Sequence, residues 1–156
     1  MTEVFRIGLA ALRDLQSQGY GSTLTAGRWH SRCPGPRPRR VVYAASSRSL
    51  AQFEKRVHAN GRQPVDQALF RLVLPRGLRI RQAASLGLSA LWRDDEDETR
   101  AIGDAWLDAV AELALWVPSF VEPLEYNLLL NPDHSRAKQV AVHVERNPFT
   151  FDPRLV

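Results

Sequence analysis

Short apolar stretches separated by polar turns run along the whole chain, and their lengths predict strands interspersed with a few helices. Stretches rich in β-branched and aromatic residues predict strands over 4–7, 41–44, 68–74, 113–117, 140–144 and 149–151. Arg76-Gly77 is a turn signal after Pro75, so we expect residues 78–81 to pair with 68–74 as a hairpin.

Helices are predicted where apolar residues recur at helical spacing. The clearest covers 48–59, between an N-cap at Ser46 or Ser47 and a C-cap signal at Asn60-Gly61. A second is expected over 99–110, where the preceding acidic run 94–98 suits a helix N-terminus and where Ile102, Trp106 and Val110 share one face. Shorter helices are expected at 9–15 and from Pro123 through Leu129.

These elements alternate irregularly, without the strand–helix–strand rhythm of a doubly wound sheet. We therefore predict an α+β fold in which mixed or antiparallel sheets are flanked by helices. The 156 residues fit one compact domain spanning 1–156, and no linker divides them. The chain lacks both Gly-x-Gly-x-x-Gly after a strand and Gly-x-x-x-x-Gly-Lys, which excludes nucleotide binding by either of those loops.

Composition and charge bear on nucleic-acid binding, disulfides, metal sites and membrane insertion. The net charge of +4 permits nucleic-acid binding without implying it. The charge is uneven, because residues 1–40 carry seven arginines against two acids and residues 91–125 carry ten acids against two arginines. Cys33 stands alone, so no internal disulfide forms and zinc lacks its usual thiolates, and the four histidines show no metal-ligand spacing. We therefore expect no metal, and the lone cysteine fits a reducing cytoplasm. No stretch approaches the ~18 apolar residues of a membrane span, so we expect a soluble protein that is not exported.

Glu54 is the first candidate for chemistry. It lies four residues after Leu50, beside the predicted apolar set of Leu50, Phe53 and Val57. On its own the position favours a surface carboxylate paired with Arg48 or Lys55. The functional alternative is a partly desolvated carboxylate that stabilises developing positive charge near a reacting centre.

Three further residues stand out. Arg6 lies inside an apolar strand, where burial demands an anionic partner from the protein or a ligand. Arg28, in Gly27-Arg28-Trp29, can hold a phosphate, but the tripeptide alone favours a core tryptophan with arginine at the rim. Ser119 follows a strand end at Pro118, where its hydroxyl could reach a ligand, and it lacks the Gly-x-Ser-x-Gly elbow of serine hydrolases.

Seven segments recur in this order in the RES-domain family, which is named for its Arg, Glu and Ser: 27–29, 41–43, 53–58, 102–107, 117–119, 125–134 and 149–155. The chain resembles this family over nearly its whole length. The resemblance assigns Arg28, Glu54 and Ser119 as catalytic residues. It assigns Arg6, Tyr43 and Asn127, together with Arg28, to the binding pocket for NAD+. Ala26, His30 and Phe5 depart from the usual family pattern, and His30 at the pocket edge could alter nucleotide contacts.

The resemblance implies a fold similar to ADP-ribosyltransferases and a toxin of a type II toxin–antitoxin pair. Its substrate would be NAD+, with no other cofactor, cleaved between nicotinamide and ribose. Some members do this by phosphorolysis, and we expect that route here, with inorganic phosphate as co-substrate. Other members transfer ADP-ribose to a protein. A cognate Xre-like antitoxin is expected to cover the active site in a hetero-oligomer and to make any DNA contact. The non-enzymatic alternative makes the basic, proline-rich loop 32–40 a contact for nucleic acid or a partner.

Overall fold

Seven strands form one mixed sheet in the computed structural model, which describes residues 1–155. They are β1 (Glu3–Leu9), β2 (Val42–Ala45), β3 (Gln67–Val73), β4 (Arg81–Gln82), β5 (Ala114–Pro118), β6 (Tyr126–Leu130) and β7 (Ala141–Arg146). Their order across the sheet is β4-β5-β6-β2-β1-β3-β7, and only β4 and β5 run parallel. The predicted α+β fold class, a mixed sheet flanked by helices, is confirmed.

The sheet is nearly divided between β1 and β2. Strand β1 pairs with β3 along its whole length, but in the described chain it meets β2 only at Phe5 and Ala45. Two blocks result, β4-β5-β6-β2 and β1-β3-β7, and the backbones of β1 and β2 separate beyond that pair. This separation opens the cavity described below.

Helix α3 (Arg48–Ala59) follows β2 and packs on β1 and β2. Its bounds confirm the predicted helix, since the Ser47 side chain accepts a hydrogen bond from the Leu50 N–H and Asn60 ends it in the left-handed conformation. Two single-turn helices, α1 (Leu15–Gln18) and α2 (Gly21–Leu24), precede β2. No helix among residues 1–155 has the length and apolarity to cross a membrane.

Helix α4 (Glu96–Ala109) begins three residues before the predicted start. Asp95 caps it, so three acids of the predicted acidic run occupy the first turn, where the helix dipole favours negative charge. Trp106 is buried as predicted, but Val110 is exposed because it ends the helix with a positive φ of 51°. The buried face contains Thr99, Gly103, Trp106 and Leu107.

Two further predictions are wrong, a hairpin and a helix. Strand β3 finds its neighbours in β1 and β7, and residues 78–80 form no strand, so the predicted hairpin is absent. Residues 81–82 instead pair in parallel with β5. The segment from Pro123 through Leu129 also forms no helix, since 126–130 is strand β6, with Leu128, Leu129 and Leu130 fully buried in the sheet.

The chain ends also differ from prediction. The predicted helix over 9–15 is absent, because Leu9 ends β1 half exposed, residues 10–14 form a turn and Leu15 is buried at the start of α1. Residues 149–151 are not a strand. Phe149 donates its backbone N–H to the Gln67 carbonyl, and its ring packs edge-on against Phe151 in the core beneath α3.

Candidate active site

A cavity of about 510 Å³ lies where β1 and β2 separate, within the size range of small-molecule sites. Its walls come from β1, segment 26–29, β2, α3 and the loop after β5. Five of the six residues that the family resemblance singles out line it: Arg6, Arg28, Tyr43, Glu54 and Asn127. The sixth, Ser119, lies directly behind the wall. These roles were expectations from separate segments, and the fold brings the segments together.

Glu54 projects from α3 into this cavity. Its Oε1 accepts hydrogen bonds from Ser119 Oγ and from Asn127 Nδ2, each at 2.7 Å. Its Oε2 lies 4.0 Å from His58 Nε2, and 21% of the side chain is exposed. The carboxylate is thus fixed through one oxygen and presents the other to the cavity.

The surface-pair interpretation of Glu54 is therefore wrong. Arg48 forms its ion pair with Glu145 at 2.7 Å, and no ion pair joins Lys55 to Glu54. The predicted apolar stripe is also displaced, because Phe53 and Val57 are at least half exposed and α3 buries Leu50 and Ala51 instead. The face of α3 that carries Glu54 consequently points to the cavity rather than to bulk solvent.

Ser119 is fully buried and holds Glu54 without lining the cavity. Its Oγ accepts the backbone N–H groups of Val121 and Glu122, both at 3.1 Å. With its lone pairs engaged, the hydroxyl directs its proton to the Glu54 carboxylate. Its geometry is that of a positioning residue.

Arg28 is oriented by an aromatic ring. Its guanidinium carbon lies 3.9 Å from the centre of the Phe120 ring, whose other cationic neighbour, Arg93, lies at 4.2 Å. Arg28 Nη1 is buried and has no hydrogen-bond partner in the protein. Sequence reasoning missed Phe120, and the aromatic residue directly after the Pro118-Ser119 strand end was the available signal.

The backbone around Arg28 is fastened to α4. Thr99 Oγ1 donates to the Arg28 carbonyl at 2.6 Å, and Arg100 Nε donates to the Gly27 carbonyl at 2.8 Å. Gly103 permits this approach, because a Cβ built there would lie 1.6 Å from the Trp29 carbonyl oxygen. These contacts with α4 therefore fix the backbone position of Arg28 at the cavity.

Arg6 bridges the opening between β1 and β2. Its Nη1 donates to the Tyr43 carbonyl at 2.8 Å and its Nη2 to the Gln18 carbonyl at 3.4 Å, while the buried Nε has no partner. Within residues 1–155 no carboxylate pairs with it, so the protein supplies neutral oxygens where we expected an anion. Burial lowers the pKa of Arg6 to about 10, which leaves it cationic at neutral pH.

Tyr43 presents its ring to the cavity, but its hydroxyl is engaged behind the wall. His30 Nε2 lies 3.0 Å from the carbonyls of Ser22 and Thr25, so it carries the proton, and His30 Nδ1 accepts from the Tyr43 hydroxyl at 2.7 Å. Trp29 N–H donates to the same hydroxyl at 3.2 Å. Burial raises the pKa of Tyr43 and lowers that of His30. His30 thus supports Tyr43 rather than lining the pocket edge as we expected.

Three buried polar atoms on the cavity wall have no partner in the protein: Arg6 Nε, Arg28 Nη1 and Asn127 Oδ1. Buried polar groups are normally paired, and each unmade bond costs ~1–3 kcal/mol. No cluster of metal-ligating side chains occurs within residues 1–155.

Comparison with known proteins identifies the family of the chain. The family model for the RES domain matches residues 3–152. Toxin Res of Pseudomonas putida is 36% identical over 150 residues, covering 94% of this chain and 96% of that protein. Toxin Res of Yersinia enterocolitica is 34% identical over 140 residues, covering 88% of each. The Prs ADP-ribosylating toxin of a Sphingobium species is 34% identical over 143 residues, covering 88% of this chain and 85% of that protein.

A solved structure shares the fold. The crystal structure of the M. tuberculosis MbcT–MbcA toxin–antitoxin complex contains a chain that matches with a TM-score of 0.69 and 18% identity, covering 99% of this chain and 86% of that one. The family match and the relatives together confirm the resemblance found in the sequence, and the chain belongs to the RES domain family.

Proposed function

We propose that this protein is the toxin of a toxin–antitoxin pair and that it cleaves NAD+ at the bond between nicotinamide and ribose. The observation that carries the proposal is the carboxylate of Glu54, fixed through Oε1 and facing a cavity that also holds two arginines. Relatives named as toxins, one of them ADP-ribosylating, support the same chemical class.

The chemistry follows from charge. When the bond between ribose C1 and nicotinamide breaks, both electrons leave with the nicotinamide as a neutral ring, so no general acid is needed. The ribose develops oxocarbenium character, which a carboxylate such as Glu54 stabilises. Arg6 and Arg28 would neutralise the pyrophosphate, and the Asn127 Oδ1 would accept from a ligand hydroxyl or amide.

We propose inorganic phosphate as the acceptor. One of its oxygens forms the new bond to C1 as nicotinamide departs, which gives ADP-ribose 1-phosphate. Phosphate is an anion, so its approach to C1 requires the cationic wall that the cavity supplies. Hydrolysis uses water at the same step and gives free ADP-ribose.

Incubation of the purified protein with NAD+, with and without inorganic phosphate, tests the reaction. Nicotinamide release and phosphorus resonances follow both products. We expect Glu54→Gln to fold and to lose turnover, because glutamine keeps the shape and removes the charge. Glu125→Gln is the matched control. It neutralises an exposed carboxylate directly before β6 and should keep turnover. Absence of turnover in both mixtures contradicts the proposal.

A protein side chain is the second candidate acceptor, because one relative is named an ADP-ribosylating toxin. Labelled ADP-ribose from NAD+ would then appear on a cellular protein, while bulk NAD+ falls slowly. Rapid loss of NAD+ that depends on phosphate, without labelled protein, excludes this acceptor.

We further propose an Xre-like antitoxin that covers the cavity and carries any DNA contact. The basic loop 32–40 supports a direct DNA contact poorly, since Arg39 is already paired with Asp108 at 2.8 Å and Asp104 at 3.3 Å. Inhibition of turnover by the co-purified partner tests the first proposal. Salt-dependent DNA affinity of the isolated chain would instead support the non-enzymatic alternative, in which loop 32–40 contacts nucleic acid.

A further inference from the structure

Lys55 adds a cation from α3 to the two arginines of the cavity, and neither the resemblance nor the mechanism above uses it. It follows Glu54 in α3, is partly buried, and lines the same cavity as Arg6. It forms no ion pair with a carboxylate of residues 1–155. An amphipathic helix normally sends a lysine to solvent, so its inward position calls for an explanation.

The electrostatics of Lys55 link it to Arg6. Burial and the charge of Arg6 lower the pKa of Lys55. Two like charges in a partly desolvated space destabilise each other unless an anion lies between them. Arg6 in addition donates only to neutral carbonyls, those of Tyr43 and Gln18, and has no carboxylate partner within residues 1–155. Two cations on one cavity, without a counter-charge from these residues, favour an anionic ligand there.

We propose that Arg6 and Lys55 together form a binding subsite for a phosphoryl anion. This subsite is formed by β1 and α3, whereas Arg28 belongs to segment 26–29 and packs on Phe120. The proposal rests on the proposed cleavage of NAD+ and makes it more specific. The phosphoryl anion is either inorganic phosphate, held beside Glu54 for attack on the ribose, or the pyrophosphate of the dinucleotide.

The chain offers a direct probe, because Lys55 and Lys138 are its only lysines. Reductive methylation with ¹³C-formaldehyde keeps both charges and gives two lysine signals that NMR resolves, and the Lys55→Gln variant assigns them. Lys138, exposed in a helical turn far along the sequence, is the internal reference. The methylated full chain is titrated with inorganic phosphate, with ADP-ribose, and with sodium chloride at matched ionic strength.

We expect the Lys55 signal to shift with saturation and the Lys138 signal to stay constant. A shift with inorganic phosphate identifies the free anion as the ligand, and a shift with ADP-ribose alone identifies the pyrophosphate. Equal shifts of both lysines, a shift that sodium chloride reproduces, or no shift at all overturns the subsite.

Affinity measurements on unmodified protein give an independent readout. Lys55→Gln should weaken binding of the responsive anion by about tenfold or more, Lys55→Arg should retain it, and Lys138→Gln should not change it. Binding needs no turnover, so the two proposals fail separately. A saturable shift of the Lys55 signal without NAD+ cleavage supports the anion subsite and refutes the proposed reaction. NAD+ cleavage with an unresponsive Lys55 signal refutes the subsite alone.

Discussion

Replacing Asn127 with aspartate tests whether the reaction depends on the hydrogen bond by which residue 127 holds the Glu54 carboxylate. Asn127 Nδ2 donates to Glu54 Oε1 at 2.7 Å, so Asn127→Asp puts a second carboxylate there with almost no change in shape. Two unit charges 4 Å apart repel by about 4 kcal/mol at an effective dielectric constant of about 20, and more at the observed separation. Since one pK unit equals about 1.4 kcal/mol, the pair should keep one proton up to about pH 7.

The assay is the pH profile of nicotinamide release between pH 5.5 and 9. Below about pH 7 the pair shares one proton and carries one negative charge, as Glu54 and Asn127 do together, so Asn127→Asp should stay active there and lose activity as the second carboxylate ionises and repels Glu54. Asn127→Ala removes the same hydrogen bond without adding charge, so its loss of activity should not depend on pH beyond that of the wild type. If the two variants show the same profile, the reaction does not depend on how residue 127 holds the Glu54 carboxylate.

Three further outcomes follow from the geometry. Ser119→Ala removes one of the two hydrogen bonds that hold the Glu54 carboxylate, so kcat should fall by about tenfold with little change in KM, and an unchanged kcat would show that this bond does not position the carboxylate for the proposed reaction. Gly103→Ala places a Cβ 1.6 Å from the Trp29 carbonyl and should lower the free energy of unfolding by ~1–3 kcal/mol or more, whereas Gly21→Ala, with nothing within 4 Å, should not; thermal denaturation compares them. Burial lowers the pKa of His30 below 6.5, so the unfolded chain binds its proton first as pH falls, and stability should be full above about pH 6.5 and decrease below it. Urea unfolding at pH 7.5 and 5.5 should show a smaller decrease for His30→Asn, and an equal decrease would assign the pH dependence to other groups.

Local sequence signals predicted those elements whose ends are marked by capping or turn residues. Helix α3 has a serine cap and a left-handed asparagine end, and both are visible in the sequence. Strand β2 is a run of β-branched and aromatic residues between turns. Strand β6 was misread because its leucines form a continuous apolar run, buried on both faces, which periodicity cannot separate from a helix.

Local sequence signals did not predict which strands pair with one another. A turn signal at Arg76-Gly77 predicts a hairpin, yet β3 lies between β1 and β7, because the larger sheet buries more apolar surface than an isolated pair. The same long-range choice separates β1 from β2 and creates the cavity. Neither β1 nor β2 contains a residue pattern that predicts where the two strands separate.

The sequence by itself determined the family, the residue types of the site and most of the elements that carry them, because motif order and local capping chemistry are encoded in neighbouring residues. Only the tertiary structure decided the partners of each side chain. Glu54 is held by groups 65 and 73 residues away, and Arg6 meets backbone carbonyls from two other segments. Periodicity reports that a position is near the core but not which side chain will face it, and that pairing is settled when the sheet assembles.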